Sequence, residues 1–126
     1  MTKWVAKSVV LAVHEQQIAE HGGTQGVRDI GLLESALARP QNLAVYGEPD
    51  LAAMAAAYAF GIARNHPFLD GNKRTSYVVT RVFLALNGLN LTADETTRLQ
   101  VWLSLGAGDL TEEDLAEWLR SNTAEI

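Results

Sequence analysis

The chain contains no cysteine, which excludes disulfides and thiolate metal sites. It also lacks any apolar run approaching the roughly 20 residues that a membrane helix needs. The stretch "VVLAV" near the start is shorter than the ~7–15 residues of a signal-peptide core, and His14 and Glu15 follow it without a small-residue cleavage pattern. An intact cytoplasmic protein is expected. Positive charge is scarce, with 10 Lys and Arg against 15 Asp and Glu, a formal net charge of -5. A field of that sign disfavours non-specific attachment to nucleic acid or anionic membrane, so neither is expected as a direct partner. Alternating strand patterns, hairpin dipeptides, repeats, low-complexity tracts and linkers are missing as well.

What remains is 126 residues, 48% of them hydrophobic, enough for one domain over residues 1–126 with a core of its own. The periodicity predicts an all-α, compact bundle of about six helices. Val5, Val9, Ala12, Val13 and Ile18 fall near helical spacing from about Lys3 to His21, with Gly22 and Gly23 as the stop. "DIGLLESALARP" reads as a short helix ended by Pro40, and "QNLAVYGEP" as an irregular connection. Asp50 is placed to cap the Ala-rich helix "LAAMAAAYAFGIARN". "TSYVVTRVFLALNG" follows, with Gly88 at a C-terminal cap position. Thr92 and Glu95 have capping-box spacing before a fifth helix, and Thr111 opens the last.

Between the two least polar helices stands "HPFLDGNKRT", residues 66–75. Pro67 disfavours helix at His66, and Gly71 lets the backbone turn before the next helix starts near Asn72. Lys73 and Arg74 then fall in the first turn of that helix, where the dipole and the unpaired N–H groups already carry positive charge. Arg64, at the end of the preceding helix, is placed close by. A bound anion compensates such a cluster, and phosphate suits both the N–H groups and the side chains. Asp70 repels bare phosphate but fits a site where Mg²⁺ bridges it to phosphate oxygens. His66 accepts a proton near neutral pH. Base, metal carboxylate and phosphate cradle are the parts needed for attack of a hydroxyl on a nucleotide phosphate. Packing is the competing account, with Phe68 plugging the bundle and Asp70 capping a helix, but it leaves Lys73 and Arg74 unexplained.

The stretch resembles the signature of the Fic/Doc superfamily, whose form is His-x-Phe-x-Asp/Glu-Gly/Ala-Asn-Gly/Lys-Arg. Lys73, where the Fic branch has glycine, is similar to the death-on-curing (Doc) branch, and "GGTQGVRDIGLLESALARPQ" resembles an N-terminal block common there. The resemblance covers about residues 14 to 88. It implies a toxin of a bacterial toxin–antitoxin pair that transfers the γ-phosphate of ATP to a threonine of elongation factor Tu and stops protein synthesis. It implies His66 as the catalytic base and Asp70 as the Mg²⁺ ligand. It further implies Asn72, Lys73 and Arg74 as phosphate-binding positions, with Gly71 beside them, and a cognate antitoxin whose flexible segment folds into a groove.

Some positions depart from the pattern. Tyr77 stands where Fic adenylyltransferases carry a second arginine, and Val78 where a Doc protein can carry asparagine. Ser121 and Glu125 have the spacing of a self-inhibitory Fic helix, but Ile126 follows where Gly or Asn is required; inhibition in trans is implied. The alternatives are adenylyl transfer and a non-catalytic, antitoxin-binding regulatory module. Elsewhere, "GNKRT" lacks P-loop spacing and a preceding strand. His14 and His21 have no third ligand nearby, so a solvated helix face is expected for them. Arg28 and Asp29 are expected to tie their loop to a helix, and Trp4, Trp102 and Trp118 to pack in the core or at its rim, with Trp102 or Trp118 as the alternative lining of the antitoxin groove.

Overall fold

A computed structural model describes residues 1–126. Six helices follow in order: α1 Lys7–His21, α2 Ile30–Tyr46, α3 Leu51–Asn65, α4 Asn72–Leu86, α5 Glu95–Ala107 and α6 Glu112–Ser121. Two short strands, β1 Leu89–Leu91 and β2 Thr123–Glu125, pair antiparallel with Asn90 opposite Ala124. The architecture is all-α, and the strands clip the end of the chain to the segment that follows α4. They are three residues long and half exposed, too short to leave an alternating pattern in the sequence.

Helix α3 is the centre, with ten of its fifteen residues buried. Its alanines let neighbours come close. A Cβ on Gly61 would lie 3.1 Å from the Ala36 Cα of α2, so the two helices cross nearly backbone to backbone. On the α4 side, Tyr58 and Phe83 are both fully buried, with ring centroids 4.9 Å apart. Each ring contributes roughly 1.5–3 kcal/mol by leaving water. Ser76 Oγ donates to the Ala59 carbonyl at 2.7 Å and accepts from Trp102 Nε1 at 3.1 Å, tying α3, α4 and α5 together. The side chain of Asp50 caps α3, and Gly88 follows α4 with φ +83, both where the sequence placed them.

Three expectations are corrected. Helix α1 starts at Lys7, not Lys3, because the preceding backbone bonds elsewhere. Lys3 exchanges two hydrogen bonds with the Asn87 side chain, and the Val5 N–H donates to the Tyr58 hydroxyl. Pro40 does not end α2, which runs through it to Tyr46 and absorbs most of "QNLAVYGEP". A mid-helix proline removes one hydrogen bond and clashes with the preceding turn, at a cost of roughly 3 kcal/mol. Packing offsets it here, since Leu33, Ala36 and Pro40 are buried on one face. Thr92 does not cap α5; Asp94 does, accepting from the Thr97 N–H at 2.8 Å, while the Thr92 N–H donates to Asn122 beside the strands. Helix α6 ends at Ser121, and Glu125 pairs with Leu89 in the strands. No helix is long and apolar enough to cross a membrane.

Candidate active site

The loop between α3 and α4 begins with strain. His66 takes φ 50, ψ 55, the one left-handed residue that is not glycine, and the following Pro67 disfavours the right-handed helix there. Arg28 holds that corner. Its Nε donates to the His66 carbonyl at 2.7 Å and its Nη2 to the Asn65 carbonyl at 2.8 Å, a cation on the unpaired carbonyls of a helix C-terminus. Asp29 caps α2 through the Leu32 N–H. Both residues of this pair therefore have the structural role expected for them.

Residues 67–69 lie against residues 26–28 like a fragment of sheet. The Arg28 N–H donates to the Pro67 carbonyl at 2.7 Å, and the Leu69 N–H to the Gly26 carbonyl at 3.1 Å. Asn72, buried at the start of α4, pairs with the backbone of Phe68. Its Oδ1 accepts from the Phe68 N–H at 2.9 Å and its Nδ2 donates to the Phe68 carbonyl at 3.0 Å. Nδ2 also faces His66 Nδ1 at 3.5 Å, long for a hydrogen bond. The Asn72 side chain is thus the brace of the loop, and its backbone N–H has no partner inside the helix. Phe68 is 1% exposed, the plug that the packing account foresaw. Plug and polar cluster coexist on one loop.

Asp70 comes next. Oδ1 accepts from the Gly71 N–H at 2.9 Å and Oδ2 from the Thr24 N–H at 3.1 Å. A Cβ on Gly23 would sit 2.7 Å from Oδ2, so only glycine lets this turn reach the carboxylate. Gly71, with φ +76, then swings the chain into α4. Asp29, Asp50, Asp94 and Thr111 cap α2, α3, α5 and α6, whereas α1 and α4 have no side-chain cap and no acid in the first turn. The N–H groups of Asn72, Lys73 and Arg74 have no carbonyl partner inside the helix. Lys73 and Arg74 are exposed and take part in no ion pair.

These groups open on one cleft of about 1050 Å³. Its floor holds His66, Asp70, Gly71, Asn72, Lys73 and Arg74, so the six residues of the motif expected to carry the chemistry share a common space. Its wall is α5, with Arg98, Leu99, Trp102 and Leu103, and Tyr77 stands between. Arg64 is not among the lining residues; its guanidinium lies 5.3 Å from the Phe60 ring centroid and beside Gly108. Trp102 is 3% exposed and packs edge-on to Tyr77 and Trp118, joining core to rim.

Two residues escaped the sequence reading. His14 is buried rather than solvated, and it contacts the Asp70 carbonyl and the Phe68 ring. Val10, His14, Gln17 and Ile18 form one buried face, and that i, i+4, i+7, i+8 spacing was the available signal. Arg98 was missed because nothing local marks it. Its Nε donates to the Ala93 carbonyl, Nη2 to the Leu91 carbonyl and Nη1 to the Tyr77 hydroxyl at 3.3 Å. That leaves a half-buried, immobilised cation beside the residue that stands where a second arginine was expected.

Known proteins are similar to this chain. The profile of the Fic/DOC family matches residues 4–84. The chain is 50% identical over 76 residues to "Toxin Doc" of Mycolicibacterium smegmatis (strain ATCC 700084 / mc(2)155), an alignment covering 58% of each chain. It is 30% identical over 117 residues, 92% of each chain, to "Protein kinase doc" of Escherichia phage P1. With the motif, the helical architecture and a match over most of its length, the chain belongs to the Fic/DOC family.

Proposed function

We propose that the protein is a Doc-type toxin that transfers the γ-phosphate of ATP to a hydroxyl of a translation factor, elongation factor Tu in the first instance. The observation that carries this reading is the uncapped N-terminus of α4, flanked by Lys73 and Arg74, opening on the same cleft as His66 and Asp70. Phosphate oxygens accept from the open N–H groups, and the two cations balance the charge. His66 takes the proton from the attacking hydroxyl. The new bond forms between that oxygen and the γ-phosphorus, the bond from phosphorus to the β,γ-bridging oxygen breaks, and ADP leaves. Charge on the transferring oxygens is stabilised by groups already in place.

Mg²⁺ fits the donor set as a companion of the nucleotide. No three His, Asp or Glu side chains converge to hold an ion on their own. Asp70 offers one carboxylate, whose oxygens each accept one backbone N–H and keep a further lone pair. Magnesium typically takes one or two carboxylates and completes its shell with water and phosphate. When bound, it neutralises phosphate charge.

Adenylyl transfer is the second reading, and Arg98 favours keeping it. The arginine missing at Tyr77 has a substitute in the same cleft, supplied by α5. Tyr77 alone therefore does not separate the two chemistries, and Lys73 carries the preference for the γ-phosphate. A cognate antitoxin with a flexible segment is the proposed partner, supported by the relative named a Doc toxin. Expression in a bacterial host tests the reading. The wild type should arrest growth, and soluble His66→Ala should not. Arrest by the His66→Ala protein would remove His66 from the chemistry and leave the binding-module account.

A further inference from the structure

Three bonds fix Asp70, and two of them are exposed: those from the Thr24 and Gly71 N–H groups to the carboxylate. The third is sheltered. His14 Nε2 lies 2.8 Å from the Asp70 carbonyl oxygen, and the histidine is 4% exposed. A carbonyl only accepts, so Nε2 carries the proton and donates. Water competes least for a bond of this kind. The same ring lies parallel to Phe68, with centroids 3.8 Å apart and planes 6° apart. A Cβ on Gly71 would come within 3.8 Å of Nε2, so the imidazole also abuts the start of α4. One side chain from α1 thus touches the loop at Phe68 and Asp70 and lies beside Gly71. The other supports reach it from residues 24–28 and from Asn72.

We propose that His14 is a positioning residue. Its Nε2–H holds the Asp70 carbonyl and its ring holds Phe68, and together they aim the Asp70 carboxylate into the cleft. His14 reaches no ligand itself. The assignment rests on the reading of Asp70 as the Mg²⁺–nucleotide carboxylate, and it deepens that reading by naming what orients the group. A histidine that only filled space would be replaceable by any flat ring of similar size.

Two substitutions divide these accounts. His14→Phe keeps a ring against Phe68 and loses the donor; His14→Gln keeps an N–H donor and loses the ring. ATP binding with and without Mg²⁺ is measured by calorimetry, turnover is measured in parallel, and amide hydrogen exchange is followed in the ligand-free protein. In His14→Phe, the gain in ATP affinity due to Mg²⁺ and kcat should each fall roughly 10–100-fold, as for other groups that orient a metal ligand. Binding without Mg²⁺ should hold. Exchange should quicken at Thr24 and Gly71 and stay unchanged in α3. His14→Gln should recover much of the Mg²⁺-dependent gain. The two variants are read together, so if His14→Phe does not fold, loss of that gain in folded His14→Gln overturns the proposal. Wild-type exchange and Mg²⁺ gain in His14→Phe also overturn it. If the wild-type protein takes up no Mg²⁺–ATP, the functional reading fails, and exchange at Thr24 and Gly71 alone decides whether His14 holds the loop.

Discussion

His66 meets two demands at one position. Its imidazole faces the cleft, and its backbone adopts a left-handed conformation that costs a residue with a side chain roughly 1–2 kcal/mol. Glycine adopts it without that penalty. Both His66→Gly and His66→Ala should lose the roughly 10²–10⁴-fold contributed by a general base, yet the glycine variant should be the more stable by about 1 kcal/mol. Denaturant unfolding of the pair checks this, and equal stabilities would contradict the strained corner. At this scale the motif was legible because its chemistry is contiguous; His66, Asp70, Lys73 and Arg74 sit within nine residues of one loop and helix turn. Arg98 was not, since its place beside Tyr77 is made by the packing of α5 on α4. Asn72 was half legible. Its position at the helix start could be read, while its pairing with the Phe68 backbone needed the loop to be folded first.

Among the elements, α3 and α6 are joined at an end of the central helix. Asp50 caps α3 and also receives Arg120 Nε at 2.6 Å. The hydrogen bond from Arg120 holds the Asp50 carboxyl below its ordinary value, with the Ala53 N–H assisting and partial burial opposing. A depressed carboxylate stabilises the fold above its unfolded pKa and loses that contribution as pH falls through the folded value. Wild type should therefore melt above Asp50→Asn at neutral pH, and the gap should begin to narrow as the pH drops below the ordinary 3.8 and close below the depressed folded value. A gap that persists in acid would mean the charge is not what matters. Gly61 makes the second prediction here. Valine there meets the Ala36 backbone and should cost roughly 1–3 kcal/mol in a denaturant melt; an unchanged midpoint would mean that α2 and α3 do not cross so closely. Helix ends set by local caps, such as Asp50, were readable. Those set at a distance were not. The α1 start answers to Asn87 and Tyr58, and α2 passes Pro40 because its buried face continues.

In the whole molecule, the cleft exists because α5 stands across from the motif loop, and the strands help hold α5 there. The Ile126 N–H donates to the Gly88 carbonyl, and β2 lies along β1, whose Leu91 carbonyl anchors Arg98. Removal of residues 123–126 should cost roughly 1–3 kcal/mol, about 1 kcal/mol per lost hydrogen bond, and should weaken ATP binding by loosening that wall. Calorimetry on the truncated chain checks it, and unchanged affinity would exclude α5 from the nucleotide site. The central claim is that this assembled cleft moves the γ-phosphate, and the most direct measurement offers ATP labelled at either the γ or the α position together with Mg²⁺ and elongation factor Tu. The account predicts label from the γ position alone, a mass gain of one phosphate on the target, and loss of both in His66→Ala. Label from the α position with AMP on the target would contradict it, and so would no transfer from either.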